Sequence, residues 1–266
     1  MKATKNDFES ALNKKISCLI GAVLMIGGAQ PAGAATIANY YQIVDLGTLG
    51  GEASWASSIN DNGQIVGYAA DTTGQQRVFL YENGAIKDIG IQGGLGIFIN
   101  NKGRIAGNVY GDNGGGATVI VNNFIYENGK TTLLNVFNSN VKGLNNNDDI
   151  ITDIIATDGS GKDRATLIRN GVTTNLGTLM GGDRAEVAGI NDKGQIVGWS
   201  ATTSMENPHG AFIYANGVMA SLNFSGGVYV DVRDINNSGD IIGAIQYENG
   251  SDAAFIYNDS VLNLFN

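Results

Sequence analysis

Apolar residues along this chain come in runs of four to six, rich in Ile, Val, Phe and Tyr, with clusters of Asn, Asp and Gly between them every 8–12 residues. Short β-branched and aromatic runs bounded by turn formers predict strands, not helices. Where the pattern is first complete, the runs are Ser54 to Asn60, Gln64 to Ala69, Arg77 to Tyr81 and Ala85 to Ile89, here named strands a to d. The unit then recurs. One phrase reads INDNGQIVG (59–67), INNKGRIAG (99–107), LNNNDDIIT (144–152), INDKGQIVG (190–198) and INNSGDIIG (235–243), beginning 40, 45, 46 and 45 residues apart. A second keeps step with it: FLYENG (79–84), FIYENG (124–129), TLIRNG (166–171), FIYANG (212–217) and FIYNDS (255–260).

Both phrases read as turns. Asn60-Asp61-Asn62-Gly63 suits a type I turn followed by a left-handed residue, with Asn60, Asn100, Asn145, Asn191 and Asn236 each bonding backbone amides two residues on. Glycine takes the left-handed place in four copies and Asp148 in the third. Between strands c and d, Asn83-Gly84, Asn128-Gly129, Asn170-Gly171 and Asn216-Gly217 predict type I′ hairpins, and the fifth copy offers Asn258-Asp259.

Four antiparallel strands at a period of 40–46 residues match one blade of a β-propeller, so the expected fold is all-β with five four-stranded antiparallel units arranged as a five-bladed β-propeller. The alternative is an open, β-solenoid-like array in which each unit touches only its neighbours. A further strand, Tyr41 to Leu46, resembles strand d and brings the expected total to twenty-one, because the fifth copy already has its own strand d, Val261 to Phe265.

Residues 1–34 follow another pattern: Lys14 and Lys15, an apolar run from Ile16 to Ala29, then Ala32-Gly33-Ala34. That order predicts a secretory signal peptide cleaved after Ala34, since the run is shorter than the ~20 residues a membrane-spanning helix needs. The expected organisation is a signal peptide over 1–34 and a single five-repeat β domain over 35–266. Cleavage would take four lysines, two acids and the only cysteine, Cys18, and move the net charge from −9 to −11. The exported chain would then hold together by its core, without disulfides. Its acidity and its lack of any basic run oppose nucleic-acid binding and anionic membrane surfaces. No membrane insertion is expected after cleavage.

DLGTLGG (45–51), the INDxGQIVG phrase and the Phe-(Leu/Ile)-Tyr-x-Asn-Gly strand and turn resemble bacterial extracellular repeats of the HAF type over residues 41–266. The resemblance implies export and a repeat architecture, and it brings no catalytic residue set. The His-Ala-Phe triplet of that family stands here as Arg77-Val78-Phe79, Asn122-Asn123-Phe124, Arg164-Ala165-Thr166, Gly210-Ala211-Phe212 and Ala253-Ala254-Phe255, with His209 displaced by one residue.

Candidate chemistry is narrow. With one histidine and no cysteine after residue 34, a Cys-His pair and a three-histidine zinc site are excluded, and a serine triad would need His209. The repeated acids alternate with Asn, Ser or Leu between copies, as turn positions do, so no enzyme is expected; paired-carboxylate glycoside hydrolysis is the alternative. No cofactor is required. Calcium is the one candidate ion, at Asp148-Asp149, at 158–163 and at 231–240, though none of these fits a twelve-residue calcium loop.

Binding is expected where the copies disagree. The a-to-b and c-to-d turns would share one end of the blades, and the variable b-to-c loops (71–76, 110–123, 157–164, 202–209, 246–252) the other. Strand a would line a channel, and four residues before the aliphatic residue that leads its turn the copies carry Trp55, Leu95, Asn140, Glu186 and Asp231. With Arg77, Arg164 and His209 beside the variable loops, the candidate ligand-binding set is Trp55, Asn140, Glu186, Asp231, Arg77, Arg164 and His209. The expected partner is an extracellular glycan, a peptide or a surface component, the further alternative being a structural coat protein.

Overall fold

Alternating short apolar runs and Asn-Gly turns leave each segment one cheap way to satisfy its backbone, which is to pair with the segment just before it. The computed structural model, which describes residues 23–25, 41–112, 118–134, 136, 138–155, 162–179, 181–202, 209–222, 224, 227–258 and 260–265, follows this rule throughout. After β1 (Val23–Met25) and β2 (Tyr41–Ile43), β3 to β22 form five four-stranded antiparallel sheets, each a consecutive meander. Blade 1 is β3 (Gly50–Ile59), β4 (Ile65–Asp71), β5 (Gln76–Glu82) and β6 (Ala85–Gln92). Blade 2 is β7 (Gly94–Ile99), β8 (Ile105–Asp112), β9 (Thr118–Glu127) and β10 (Lys130–Leu133). Blade 3 is β11 (Ser139–Leu144), β12 (Ile150–Ile155), β13 (Asp163–Arg169) and β14 (Val172–Asn175). Blade 4 is β15 (Ala185–Ile190), β16 (Ile196–Ala201), β17 (His209–Ala215) and β18 (Val218–Leu222). Blade 5 is β19 (Gly227–Ile235), β20 (Ile241–Tyr247), β21 (Asp252–Asn258) and β22 (Val261–Phe265). Among the described residues no helix is long and apolar enough to cross a membrane.

The turns behave as their chemistry requires. Gly63, Gly103, Asp148, Gly194 and Gly239 all have positive φ, and both residues of each Asn-Gly pair between strands c and d do too, which makes those turns type I′. The fifth hairpin is displaced from expectation. Asn258 pairs with Val261 as the last ladder position, so Asn258 belongs to the strand and not to the turn, and Ser260 takes a left-handed place at φ 66°; Asp259 lies outside the described residues. The strand expected over Tyr41 to Leu46 stops at Ile43. There Asp45 Oδ1 accepts the Gly47 amide at 2.9 Å and turns the chain, so Leu46 and Leu49 pack on Ile65 and Phe79 of blade 1. The surplus strand therefore joins no blade: β2 pairs antiparallel with β1, and the described strands number twenty-two.

Each first strand carries a bulge near its middle, and in blades 1, 4 and 5 the residue opposite is Gly67, Gly198 or Gly243. Across the next ladder step these glycines pair with Phe79, Phe212 and Phe255, whose rings lie over them fully buried. An aromatic ring covering a glycine on the neighbouring strand fills the space the missing side chain leaves. Blade 3 instead pairs Thr152 with Thr166, two middle-sized residues in place of one large and one absent.

Between blades, the second strand of each packs an aliphatic residue against the blade that follows. Val66, Ala106, Ile151 and Val197 are each 0% exposed, whereas Ile242 of the last blade is 44% exposed. The turns add a polar lock that a local reading of the sequence does not anticipate. Asn60 Oδ1 accepts the amides of Asn62 and Gln64, as expected of a capping Asn, but its Nδ2 crosses to the Asn100 carbonyl at 2.9 Å. Asn100 donates likewise to Asn145 O, Asn145 to Asn191 O and Asn191 to Asn236 O, each at 3.0 Å. A second rail runs beside it, with Asp61 N bonding Asn101 Oδ1, Asn101 N bonding Asn146 Oδ1, Asn146 N bonding Asp192 Oδ1 and Asp192 N bonding Asn237 Oδ1. The repeated phrase is thus a tie between blades as well as a hairpin.

Asn145 shows what such a residue is worth. It is 4% exposed and its side chain makes four hydrogen bonds, accepting from Asn147 N and Asp149 N and donating to Asp149 Oδ2 and Asn191 O. Asn145→Ala strands those partners in a buried site and is expected to cost about 3 kcal/mol. Asn147→Ala, which removes one exposed bond to Asp192 O, is expected to cost under about 1 kcal/mol. Urea denaturation of both variants checks the contrast.

Candidate functional site

The position read from the repeats as lining the channel is one structural position. Trp55, Leu95, Asn140, Glu186 and Asp231 each face a second-strand residue in the ladder, respectively Tyr68, Asn108, Asp153, Trp199 and Ala244. Those partners escaped the sequence reading, yet a signal for them was present, since each is the first residue after the repeated nine-residue phrase and each is different. Position and partner vary together around the five blades.

In blade 1 the pair is aromatic. Trp55 and Tyr68 stack with ring centroids 5.1 Å apart and an interplanar angle of 21°, and Trp55 stays 49% exposed. An indole backed by a second ring and open on its outer side is a rigid flat platform. In blade 2 the position is amide-rich: Asn123 Nδ2 donates to Asn108 Oδ1, and Asn108 Nδ2 to Asn140 Oδ1 of blade 3. Asn140 is therefore engaged by the blade before it.

Blades 3 and 4 bring charges together. Asp153 is 5% exposed; its Oδ1 accepts the Val187 amide at 2.8 Å and its Oδ2 lies 3.3 Å from Lys142 Nζ. Burial, only partly opposed by those two donors, pushes its carboxyl up to about 7. Glu186 is also raised, chiefly by burial, with Asp163 beside it adding to the shift while Lys142 and the Trp199 indole oppose it. The Arg184 guanidinium sits over the Trp199 ring at 5.4 Å. Asn108 in blade 2 accepts the Val141 amide at 2.8 Å just as Asp153 accepts that of Val187, so an uncharged amide does the same structural work one blade earlier.

The other expected site residues are dispersed. Asp231 pairs with Arg233 on its own strand. Arg77 is held by Asp88 of the adjacent strand, with Nε at 3.0 Å and Nη2 at 2.9 Å from Oδ2. Arg164 lies opposite Ile154, in the register that Arg77 occupies opposite Ala69, and His209 opens β17 opposite Ala201. Of the variable loops, 113–117, 156–161 and 203–208 lie outside the described residues. The stretch 110–123 is not a loop through most of its length, because Tyr110, Gly111 and Asp112 pair with Ile120, Val119 and Thr118. Loop 71–76 is closed by Asp71 Oδ1, which accepts from Thr73 N and Gln75 N.

Acids proposed as calcium ligands are taken up by the chain's own cations and amides. Asp149 is gripped by Arg169 through two bonds of 2.8 and 2.7 Å, Asp148 by Lys102 at 2.8 Å, and Asp240 by Asn236 Nδ2 at 2.7 Å. Asp158 lies outside the described residues. Among the described residues no three His, Cys, Asp or Glu side chains gather as a metal site. A groove of about 480 Å³ opens at the opposite, turn-bearing end between blades 3 and 4, lined by Arg169, Val172, Lys193, Tyr214 and Asn216.

No family model matches the chain, and no curated protein resembles it in sequence. Solved structures do resemble it in shape. The β-propeller domain of the Trilobed protease from Pyrococcus furiosus, described as having an open velcro topology, superposes with a TM-score of 0.57 at 13% identity, over 85% of this chain and 71% of that one. TolB from Acinetobacter baumannii gives 0.52 at 13% identity over 80% of this chain. Acylaminoacyl peptidase from Pyrococcus horikoshii gives 0.57 at 12% identity over 85% of this chain. This chain spans 54% of TolB and 39% of the peptidase. At such identities the likeness speaks of fold alone. In fold, the chain is a five-bladed, all-antiparallel β-propeller.

Proposed function

We propose that this chain is an exported, non-enzymatic binding module that takes a ring-bearing ligand, a glycan, against the Trp55–Tyr68 platform. The observation that carries the reading is that stack: an indole 49% exposed, backed by a phenol ring, at a framework position that, with its ladder partner, differs in every blade. Sugar rings present flat C–H faces that pack on such surfaces, and variable polar neighbours supply discrimination. The turns of the scaffold repeat from blade to blade, as those of a holder of variable positions should. A hydrolase would need two carboxylates open to a cleft. Asp153 is almost wholly buried, with its oxygens occupied by the Val187 amide and Lys142, which favours a structural role for it.

The test is a glycan array probed with the purified protein, followed by calorimetry on any sugar retained. Trp55→Ala is expected to weaken binding about tenfold or more. Val172→Ala, on an outer strand, is expected to leave it unchanged. Absence of binding to every sugar, or binding indifferent to Trp55→Ala, would sink the proposal.

A further inference from the structure

The two rails of hydrogen bonds that tie the blades are directional, and both stop unfinished. At each internal junction the earlier blade gives an Asn Nδ2 to a turn carbonyl of the later one, and a turn amide to a side-chain oxygen. At the end of the series Asn236 Nδ2 bonds only Asp240 within its own turn, and Asn237 gives its side chain back to Asp192. At the start, Asn60 O accepts the Gly63 amide, its own turn's bond, and Asp61 Oδ2 accepts Asn101 Nδ2 from the following blade. Blade 5 therefore ends on a spare donor set and blade 1 begins on the acceptors that match it, Asn60 O and Asp61 Oδ1.

The apolar surfaces are unfinished in the same two places. Ile242 occupies the forward-facing position that is 0% exposed in the four preceding blades and is itself 44% exposed. Ile59 occupies the backward-facing position where Ile99, Ile190 and Ile235 are 6%, 5% and 1% exposed, and it is 43% exposed. Among the described residues the extensive packed junctions run 1–2, 2–3, 3–4 and 4–5, with no comparable one between blade 5 and blade 1. The molecule carries half of a fifth junction on each of its two end faces.

We infer that blade 5 of one molecule docks on blade 1 of a second copy of this chain, a head-to-tail contact built like the four internal junctions. In it Asn236 Nδ2 donates to Asn60 O, Asn237 N donates to Asp61 Oδ1, and Ile242 covers Ile59. The partner is a second copy because blade 1 of this chain offers, in one register, the acceptors and the aliphatic side chain that the internal junctions use. Such a contact joins two unlike surfaces, so it propagates into a closed ring or an open filament. It leaves the Trp55–Tyr68 platform of each copy free, because those side chains sit on the face of blade 1 that meets blade 2, where Tyr68 packs on the shared core.

Sedimentation velocity over a hundredfold range of concentration reads the contact. The expected result is association that rises with concentration in the unchanged protein and weakens tenfold or more in Ile242→Asp, whose circular dichroism and melting temperature stay those of the parent. Two single-cysteine proteins, Ile59→Cys and Ile242→Cys, each also bearing Cys18→Ser, are then mixed under mild oxidation. They are expected to form a disulfide-linked pair together and far less of one separately. A monomer at every concentration overturns the inference, as does association indifferent to Ile242→Asp. A double Ile59→Cys, Ile242→Cys chain that links only within itself also overturns it, since the ring would then close without a partner.

Discussion

Gly198→Thr is expected to destabilise the propeller by about 3 kcal/mol, and adding Phe212→Thr should reduce the combined loss well below the sum of the two. A Cβ at Gly198 would overlap the Glu186 carbonyl oxygen of the bulged first strand and lie 3.0 Å from Cε1 and Cζ of Phe212. The carbonyl is backbone and the ring is fully buried, so neither yields while the other is in place. Phe212→Thr alone removes a buried aromatic ring and is expected to cost about 3 kcal/mol through the cavity it leaves. Blade 3 already carries the double replacement: Thr152 and Thr166 pair across the same two strands opposite a bulge in the same register. With the ring gone, the second strand gains room to move off the carbonyl, and the added threonine fills part of the space. The double variant should accordingly recover about 2 kcal/mol relative to additivity in urea unfolding. Strict additivity would mean that the two threonines of blade 3 are unrelated.

What could be read from the sequence was whatever the chain settles within a few residues. The Asn-Gly pairs specify their turns because φ is positive at both residues and only those side chains tolerate it cheaply, so five sheets and their strand order followed from local chemistry. The fifth hairpin differs for a related reason: Asn258-Asp259 looks like a turn pair, and only the ladder position of Asn258 opposite Val261 puts Asn258 in the strand. What could not be read was anything between blades. Asn60 and Asn100 are 40 residues apart, and the capping role of Asn60 fully explains its presence without the bond to Asn100 O that it also makes. Ile242 and Val197 occupy the same place in the repeated phrase, yet their exposures of 44% and 0% depend on whether another blade follows.

The candidate site divides the same way. Strand periodicity put Trp55, Asn140, Glu186 and Asp231 in register, and the structure keeps them there. Which of them remains available depends on long-range partners: Asn140 receives Asn108, Asp231 receives Arg233, and Trp55 alone combines large exposure with an aromatic backing. Arg77 was the more legible loss. Asp88 lies 11 residues on, across one of the four Asn-Gly hairpins that the sequence specifies, so their ion pair follows from pairing strands c and d.

Asp153→Asn is expected to stabilise the protein above neutral pH and to do nothing below about pH 4. Burial raises this carboxyl from an ordinary 3.8 to about 7 in the folded chain, so the folded state holds a proton that the unfolded state has already released between those values. Where the folded state binds more protons, stability falls as pH rises. The contribution is therefore whole below about pH 4, declines between about 4 and 7, and stays lost above. A shift of that size corresponds to roughly 4 kcal/mol at the alkaline limit. Asparagine keeps an acceptor for the Val187 amide, as Asn108 does for Val141, and brings no charge into the site. It also deprives Lys142 of its partner; that ammonium is a third exposed, so the loss offsets the gain by about 1 kcal/mol. The net expectation is a variant about 3 kcal/mol more stable than the parent at pH 8 and equal to it at pH 4, with the difference opening between those values. Urea unfolding of the two proteins at half-unit intervals of pH measures that difference directly. A difference that does not change with pH would mean that Asp153 ionises normally where it stands. A variant less stable at pH 8 would mean that the Lys142–Asp153 pair outweighs the burial of its charge.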